Sequence, residues 1–214
     1  MTIHDVEQGS EMWHELRNAK IGGTRSKGLF VKSDTLLFEL LAEYTESYQS
    51  NEDDYMSDDM ARGIFLEPIA RAQIELYTGL KFNQIGYIIS DIPNLAISPD
   101  GLTECKTIAC EIKCPGAKKH VQTCIEDEIP LDNIHQCLHY FTVIDTLKEL
   151  YFVSYREEAL KKLFVKKITL DSEINLGTKS RPLIKPVTEW VKIAKEEAAL
   201  INKQLNELVI KLTF

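Results

Sequence analysis

Apolar residues recur along this chain with two different periods, and the switch between them outlines its elements. Residues 11–18 predict a short helix, and Ile21-Gly22-Gly23-Thr24-Arg25-Ser26-Lys27 reads as a loop. Leu36, Leu37, Leu40, Leu41, Tyr44 and Tyr48 then fall at helical spacing, which predicts a core-facing stripe. A second helix is expected over residues 56–78, carrying Met60, Ile64, Ile74 and Tyr77 and closing at Gly79. Pro68 inside it predicts a kink or a restart. Strand patterns follow at 81–90, 95–98, 102–105 and 109–114, the last ended by Pro115-Gly116. Helical spacing returns at 117–125 and 133–144, with Asp132 as the expected N-cap. Two more strands are expected at 150–155 and 163–168. A long tail helix is expected at about 186–212, with Trp190, Ile193, Ala194, Ile201, Leu205 and Leu208 on one side and Pro186 near its start. Helices, then a mostly antiparallel sheet, then helices predict an α+β fold, an α/β/α sandwich forming one domain over residues 1–214.

Composition narrows the class. At 214 residues, 44% apolar and 27% charged, the chain can bury a sizeable core and is not of the disordered type. No apolar run reaches the roughly 20 residues of a membrane span, and the polar start shows no signal peptide, so a cytoplasmic protein is expected. The net charge of −8 is unevenly spread. Residues 1–112 carry 9 basic against 19 acidic side chains, whereas residues 113–214 carry 16 against 14. Seven carboxylates and no base lie between Glu43 and Asp59, a run read as a solvated face or loop turned away from any nucleic acid. The five cysteines, at 105, 110, 114, 124 and 137, include no Cys-x-x-Cys and read as free, buried thiols.

Candidate chemistry concentrates in Ser98-Pro99-Asp100-Gly101 and Glu111-Ile112-Lys113. Two carboxylates suit a hard cation such as Mg²⁺, which prefers oxygen ligands and keeps several waters. In a strand Glu111 and Lys113 point the same way and Ile112 the other, so an ammonium would stand beside the acids. The expected hairpin brings 95–98 in and returns along 109–113. The glycine-rich stretch around Gly22-Gly23 is either a phosphate cradle or an ordinary turn. Glu67, read alone, is a solvent-facing helix residue. His120, His135 and His139 read as structural groups and not as zinc ligands. Lys118 and Lys119 are equally suited to a DNA backbone and to a solvated helix face.

Six blocks in one order resemble the phage λ exonuclease/YqaJ-type viral recombinases of the PD-(D/E)XK nuclease superfamily. They are Trp13-His14-Glu15-Leu16-Arg17, Gly23-Thr24, the stretch from Ala61 to Gly79, Ser98-Pro99-Asp100-Gly101-Leu102, Glu111-Ile112-Lys113-Cys114-Pro115, and His135-Gln136-Cys137-Leu138-His139-Tyr140. The resemblance implies a restriction-endonuclease-like core, a mixed central sheet flanked by helices. It implies that Asp100, Glu111, Glu67 and the Ile112 carbonyl hold Mg²⁺, with Mn²⁺ able to substitute and two ions per site once DNA is bound. Lys113 would position or activate water, and Gln136 would pack against the catalytic cluster. Arg17, Thr24 and Ser98 would bind a terminal 5′-phosphate; Thr24 stands where the family often has serine. The implied activity is 5′→3′ digestion of double-stranded DNA, leaving 3′ overhangs for a single-strand annealing protein. A ring-shaped homotrimer and a phage or prophage origin in a bacterial cytoplasm are also implied. The competing readings are a Cas4-like or structure-selective endonuclease of the same superfamily, and a non-catalytic DNA- or protein-binding module on this fold. The missing cluster cysteines argue against the Cas4-like reading.

Overall fold

A computed structural model describes residues 1–31, 34–46 and 57–213. A mixed four-stranded sheet lies at its centre, ordered β4 (Gly101–Leu102), β5 (Ile108–Lys113), β6 (Glu149–Tyr155) and β7 (Leu163–Thr169). β4 and β5 are antiparallel, β5 and β6 parallel, and β6 and β7 antiparallel. The parallel step needs a long crossover. It is supplied by α4 (Ala117–Glu126) and α5 (Leu131–Val143). A second sheet joins β1 (Thr2–His4), β2 (Tyr87–Ile89) and β3 (Ala96–Ile97), all antiparallel. A two-stranded ribbon of β8 (Glu173–Asn175) and β9 (Ile184–Pro186) leads into the long helix α6 (Val187–Thr213).

The central sheet is buried on both faces, which makes the sandwich. One face, with Ala109, Leu150, Phe152 and Phe164, packs on Leu138, Phe141 and α6 residues such as Trp190 and Ala194. The other, with Cys110, Ile112, Val153 and Tyr155, packs on α3 (Asp58–Thr78) through Leu66, Ala70 and Ile74. Burying a Leu or Ile side chain contributes about 1.5–3 kcal/mol, so these three positions hold α3 down.

Several sequence expectations change. The α3 residues Met60, Ile64 and Tyr77 are exposed; the buried stripe runs through Leu66, Ala70 and Ile74. Pro68 neither kinks α3 into two helices nor restarts it. Its ring lies on the solvent side, where water can satisfy the freed carbonyl one turn back. Gly79 closes α3 in a left-handed conformation (φ 71°), as expected of a C-cap. The 21–27 loop is mostly a 3-10 helix, Gly23–Leu29. Helix α2 (Asp34–Thr45) buries Leu36, Leu37, Leu40 and Leu41 but leaves Tyr44 exposed; Tyr48 and, from the acidic run, Glu52, Asp53 and Asp54 lie outside the described residues. Pro130, not Asp132, is the N-cap of α5, and Asp132 sits in the first turn, where a carboxylate suits the helix dipole. Residues 95–98 do not pair with 109–113: β3 pairs with β2 in the smaller sheet, and β4 takes the place beside β5. All five cysteines are free; Cys110 and Cys137 are buried, whereas Cys105 is exposed.

Candidate active site

Asp100 stands where the chain leaves one sheet for the other. The β4–β5 register pairs Gly101 with Cys110, and one further step sets Asp100 across from Glu111. Three elements fix it there. Its Oδ2 accepts from the Ile112 N–H at 2.6 Å, its own N–H donates to the Tyr140 hydroxyl oxygen at 3.2 Å, and its carbonyl accepts from Arg71 Nε at 2.7 Å. The glycine that follows is required by space. A Cβ on Gly101 would lie 2.6 Å from Cys110 Sγ and 2.8 Å from Phe82 Cβ.

Glu111 is 0% exposed, on the face of β5 that meets α5. Tyr140 Oη donates to its Oε2 at 2.7 Å. Oε1 forms an ion pair with the Lys113 ammonium, which is near enough in distance but not aligned as a hydrogen bond. Lys113, two residues on and on the same face, is 33% exposed and reaches the solvent. Glu67, on α3, pairs with Arg71 one helical turn later, and Arg71 in turn holds the Asp100 carbonyl. The solvent reading of Glu67 is therefore replaced by a half-buried one.

These charges act on one another. Burial first, then the neighbouring Glu111 and Glu67 carboxylates, push Asp100 well above the usual carboxylate range, against the pull of Lys113 and the Ile112 N–H. Glu67 is raised by burial, with Arg71 opposing and Glu111 adding to the shift. For Lys113, burial disfavours the charge, but Glu111 and Asp100 outweigh it and the ammonium is held more tightly than usual. Three acids facing one lysine, already paired with Glu111, and one arginine, Arg71, form a site that added positive charge would relieve.

Glu67, Asp100, Ile112 and Lys113 line a cleft of about 1230 Å³, whose other walls include Lys118 and Lys119. Among the described residues, no three His, Cys, Asp or Glu side chains form a ready-made cation cage. Mg²⁺ does not require one, since it is commonly held through one or two carboxylates with waters and substrate oxygens completing the shell. Three neighbouring carboxylates, with Glu111 Oε1 buried and lacking a hydrogen-bond partner, are what fits a divalent cation here.

A second, smaller pocket of about 320 Å³ is walled by His14, Arg17, Lys20, Thr24, Arg25 and Tyr87 among others. Arg17 lies over the Trp13 ring, 3.9 Å from its centroid, and Trp13 itself borders the large cleft. Burial and the like charge of Arg25 hold Arg17 below its ordinary pKa, with burial the larger cause; burial does the same to Lys20. Arg25 is engaged in a bidentate pair with Glu43, whose Oε2 also accepts from the Ala19 N–H at 2.9 Å. Glu43, expected in a solvated run, is thus a wall of this pocket. Among the three residues assigned to a phosphate, Arg17 and Thr24 line it, while Ser98 donates to the Gly86 carbonyl at 3.0 Å and accepts from Trp13 Nε1 at 2.8 Å. Gln136 leans on Gly23, where a Cβ would meet its side chain at 2.9–3.1 Å; it is one turn before Tyr140, and Tyr140 makes the contacts to the acids.

The family model for the YqaJ-like viral recombinase domain matches residues 12–146. The chain belongs to that family. The match spans every candidate residue from Arg17 to Gln136. Among solved structures, this YqaJ-family chain is similar in fold to an alkaline exonuclease, LHK-Exo, from Laribacter hongkongensis: 23% identity, 95% of this chain and 98% of that one, TM-score 0.72. LHK-Exo in complex with dAMP superposes over the same shares at 22% identity, with a TM-score of 0.70. A phage-related exonuclease from Haemophilus somnus 129PT shares 13% identity over 97% of this chain and 91% of that one, with a TM-score of 0.51. No curated protein matches significantly. The YqaJ-type fold was legible from the sequence, whereas Tyr140, Arg71, Lys20 and Tyr87 were not singled out as site residues. Tyr140 carried a usable signal: a tyrosine on the buried side of a helix must find a partner for its hydroxyl.

Proposed function

We propose that this YqaJ-family protein is a Mg²⁺-dependent exonuclease that digests one strand of double-stranded DNA from 5′ to 3′ and leaves a 3′ overhang. The observation that carries the reading is Asp100, pinned opposite Glu111 and beside Lys113 at the floor of a cleft large enough for a DNA strand. Asp100, Glu111, Glu67 and the Ile112 carbonyl would hold the ions, two when DNA is bound, and Mn²⁺ would serve in place of Mg²⁺. When bound, such a cation lowers the pKa of a water and offsets charge building on the phosphoryl oxygens. Lys113, whose charge Glu111 and Asp100 favour in the free protein, would position or activate the water and stabilise negative charge. Tyr140 and Arg71 keep the two central acids in register. Arg17 and Thr24 would receive the terminal 5′-phosphate across the Trp13 wall, with Ser98 setting the position of that wall.

The reading extends to a homotrimer closed around the duplex, which would give processivity to a chain of net charge −8. It also extends to a single-strand annealing protein as consumer of the overhang, and to a phage or prophage setting in the bacterial cytoplasm. One time course tests its core. End-labelled linear duplex, with and without a 5′-phosphate, is incubated with Mg²⁺ beside a closed circle, and EDTA is then added. Digestion of the linear duplex to mononucleotides, arrested by EDTA, is expected. Efficient cutting of the circle would favour the endonuclease reading instead.

A further inference from the structure

The hydroxyl of Tyr87 is left unsatisfied in the free protein. Tyr87 opens β2, is 2% exposed, and its Oη has no hydrogen-bond partner among the described residues. A buried hydroxyl without a partner costs stability, so a native structure that keeps one invites a functional explanation. Tyr87 lines the smaller pocket, together with Arg17, Lys20, Thr24 and Arg25. The charges of Arg17 and Arg25 reach it, partly opposing the burial that pushes the phenol up to about 12, so it retains its proton and is a donor.

The neighbouring charges are unequally used. Arg25 is already spent on Glu43, the acid of this pocket. Among the described residues, Arg17 and Lys20 have no carboxylate partner, and burial works against the charge of both. Two unspent cations, Thr24 and the unpartnered Tyr87 therefore border one small cavity. That set matches a phosphate monoester, whose dianion takes charge from the cations and several hydrogen bonds besides. The donor role that the sequence gives to Ser98 is vacant here, because the Ser98 proton goes to the carbonyl of Gly86, the residue just before Tyr87.

We propose that Tyr87 is a specificity-determining residue of the small pocket, donating its hydroxyl to the terminal phosphate monoester of a DNA strand. This rests on the assignment of that pocket to the strand end and adds the group that tells a phosphorylated end from a hydroxyl end. A site built to hydrogen-bond a ligand group rejects the analogue that lacks it.

The test is binding in EDTA, where cleavage does not intervene. Short duplexes ending in 5′-phosphate or 5′-hydroxyl are titrated by fluorescence anisotropy into the wild type, Tyr87→Phe and Arg17→Ala, with free-protein melting temperatures and inorganic phosphate as a competitor. We expect the wild type to prefer the phosphorylated end and Tyr87→Phe to lose about tenfold or more of that preference, the size of one hydrogen bond to a charged group. Tyr87→Phe should melt at the same or a higher temperature, since only an unpaired hydroxyl is removed. If the wild type shows no preference, the pocket assignment itself fails. If Arg17→Ala loses the preference while Tyr87→Phe keeps it, the pocket stands and the role of Tyr87 is overturned. Loss of preference together with a lower melting temperature would make Tyr87 a packing residue and overturn the proposal as well. Inorganic phosphate that stabilises the wild type without competing against phosphorylated ends would mark a free-anion site and sink it too.

Discussion

Replacing Tyr140 by Phe removes one oxygen from the centre of the candidate site and nothing else. That oxygen donates to Glu111 Oε2 at 2.7 Å and accepts from the Asp100 N–H at 3.2 Å. The ring is fully buried, so its packing persists in the variant. A hydrogen bond to a charged group contributes about 1.5–3 kcal/mol, and leaving a buried carboxylate oxygen without a donor places the loss in the upper part of that range. The expected destabilisation is about 2–3 kcal/mol. For a chain of this size, 1 kcal/mol moves Tm by about 2–4 °C, so a fall of about 5–10 °C is expected. Urea and thermal unfolding in metal-free buffer measure it. Activity with Mg²⁺ should drop as well, because both central acids lose a restraint. A double-mutant cycle with Glu111→Gln separates the cause: the cost of losing the hydroxyl should shrink once the carboxylate charge is gone. Stability within about 0.5 kcal/mol of the wild type would refute the reasoning and mean that the Lys113 pair alone satisfies Glu111.

Other substitutions probe the remaining parts of the site. Asp100→Asn should abolish nuclease activity yet raise Tm in metal-free buffer at neutral and alkaline pH. The folded-state pKa of Asp100 is raised, so ionising it costs stability as pH climbs from the unfolded value of about 4 through the folded value. The Tm gap between variant and wild type should therefore open with rising pH and close near pH 4; a gap constant with pH would contradict the buried-acid picture. Lys113→Met is expected to lower kcat by about 10²- to 10³-fold, as for loss of a group that stabilises developing charge, with little change in DNA binding by anisotropy. Gly101→Ala forces a Cβ into Cys110 Sγ and Phe82, which should separate β4 from β5, cost about 1–3 kcal/mol by urea titration and reduce activity with it.

The sequence was most readable where the physics is local. Asp100, Glu111 and Lys113 could be placed because a Pro-Asp turn and a two-residue alternation are short-range features, whereas the need for glycine at 101 shows only in the packing. The tail helix followed from its stripe, and Trp190, Ala194, Ile201 and Leu205 are indeed buried. Pairing was not readable. Whether 95–98 joins β5 or β2 depends on partners distant in the chain, and the two-residue strands β3 and β4 carry too few positions for a period. The three-residue strands β1, β8 and β9 were missed for the same reason. Spacing also misjudged α3, since Met60 and Ile64 are apolar but line the large cleft, and Tyr77 faces solvent. The smaller pocket is assembled from α1 (Glu11–Arg17), the 3-10 helix, α2 and β2, so Tyr87 and Lys20 gain meaning only once these elements meet.

Trp13 serves two neighbours. Its indole N–H is tied to Ser98 Oγ and the Gly86 carbonyl, one ring surface carries the Arg17 guanidinium, and its edge meets His14. A smaller side chain there would remove a wall of the large cleft and, in a single stroke, the ring on which the Arg17 guanidinium of the smaller pocket rests. On the proposed function, end preference and turnover would share one amino acid, and variants at position 13 should trade both properties together.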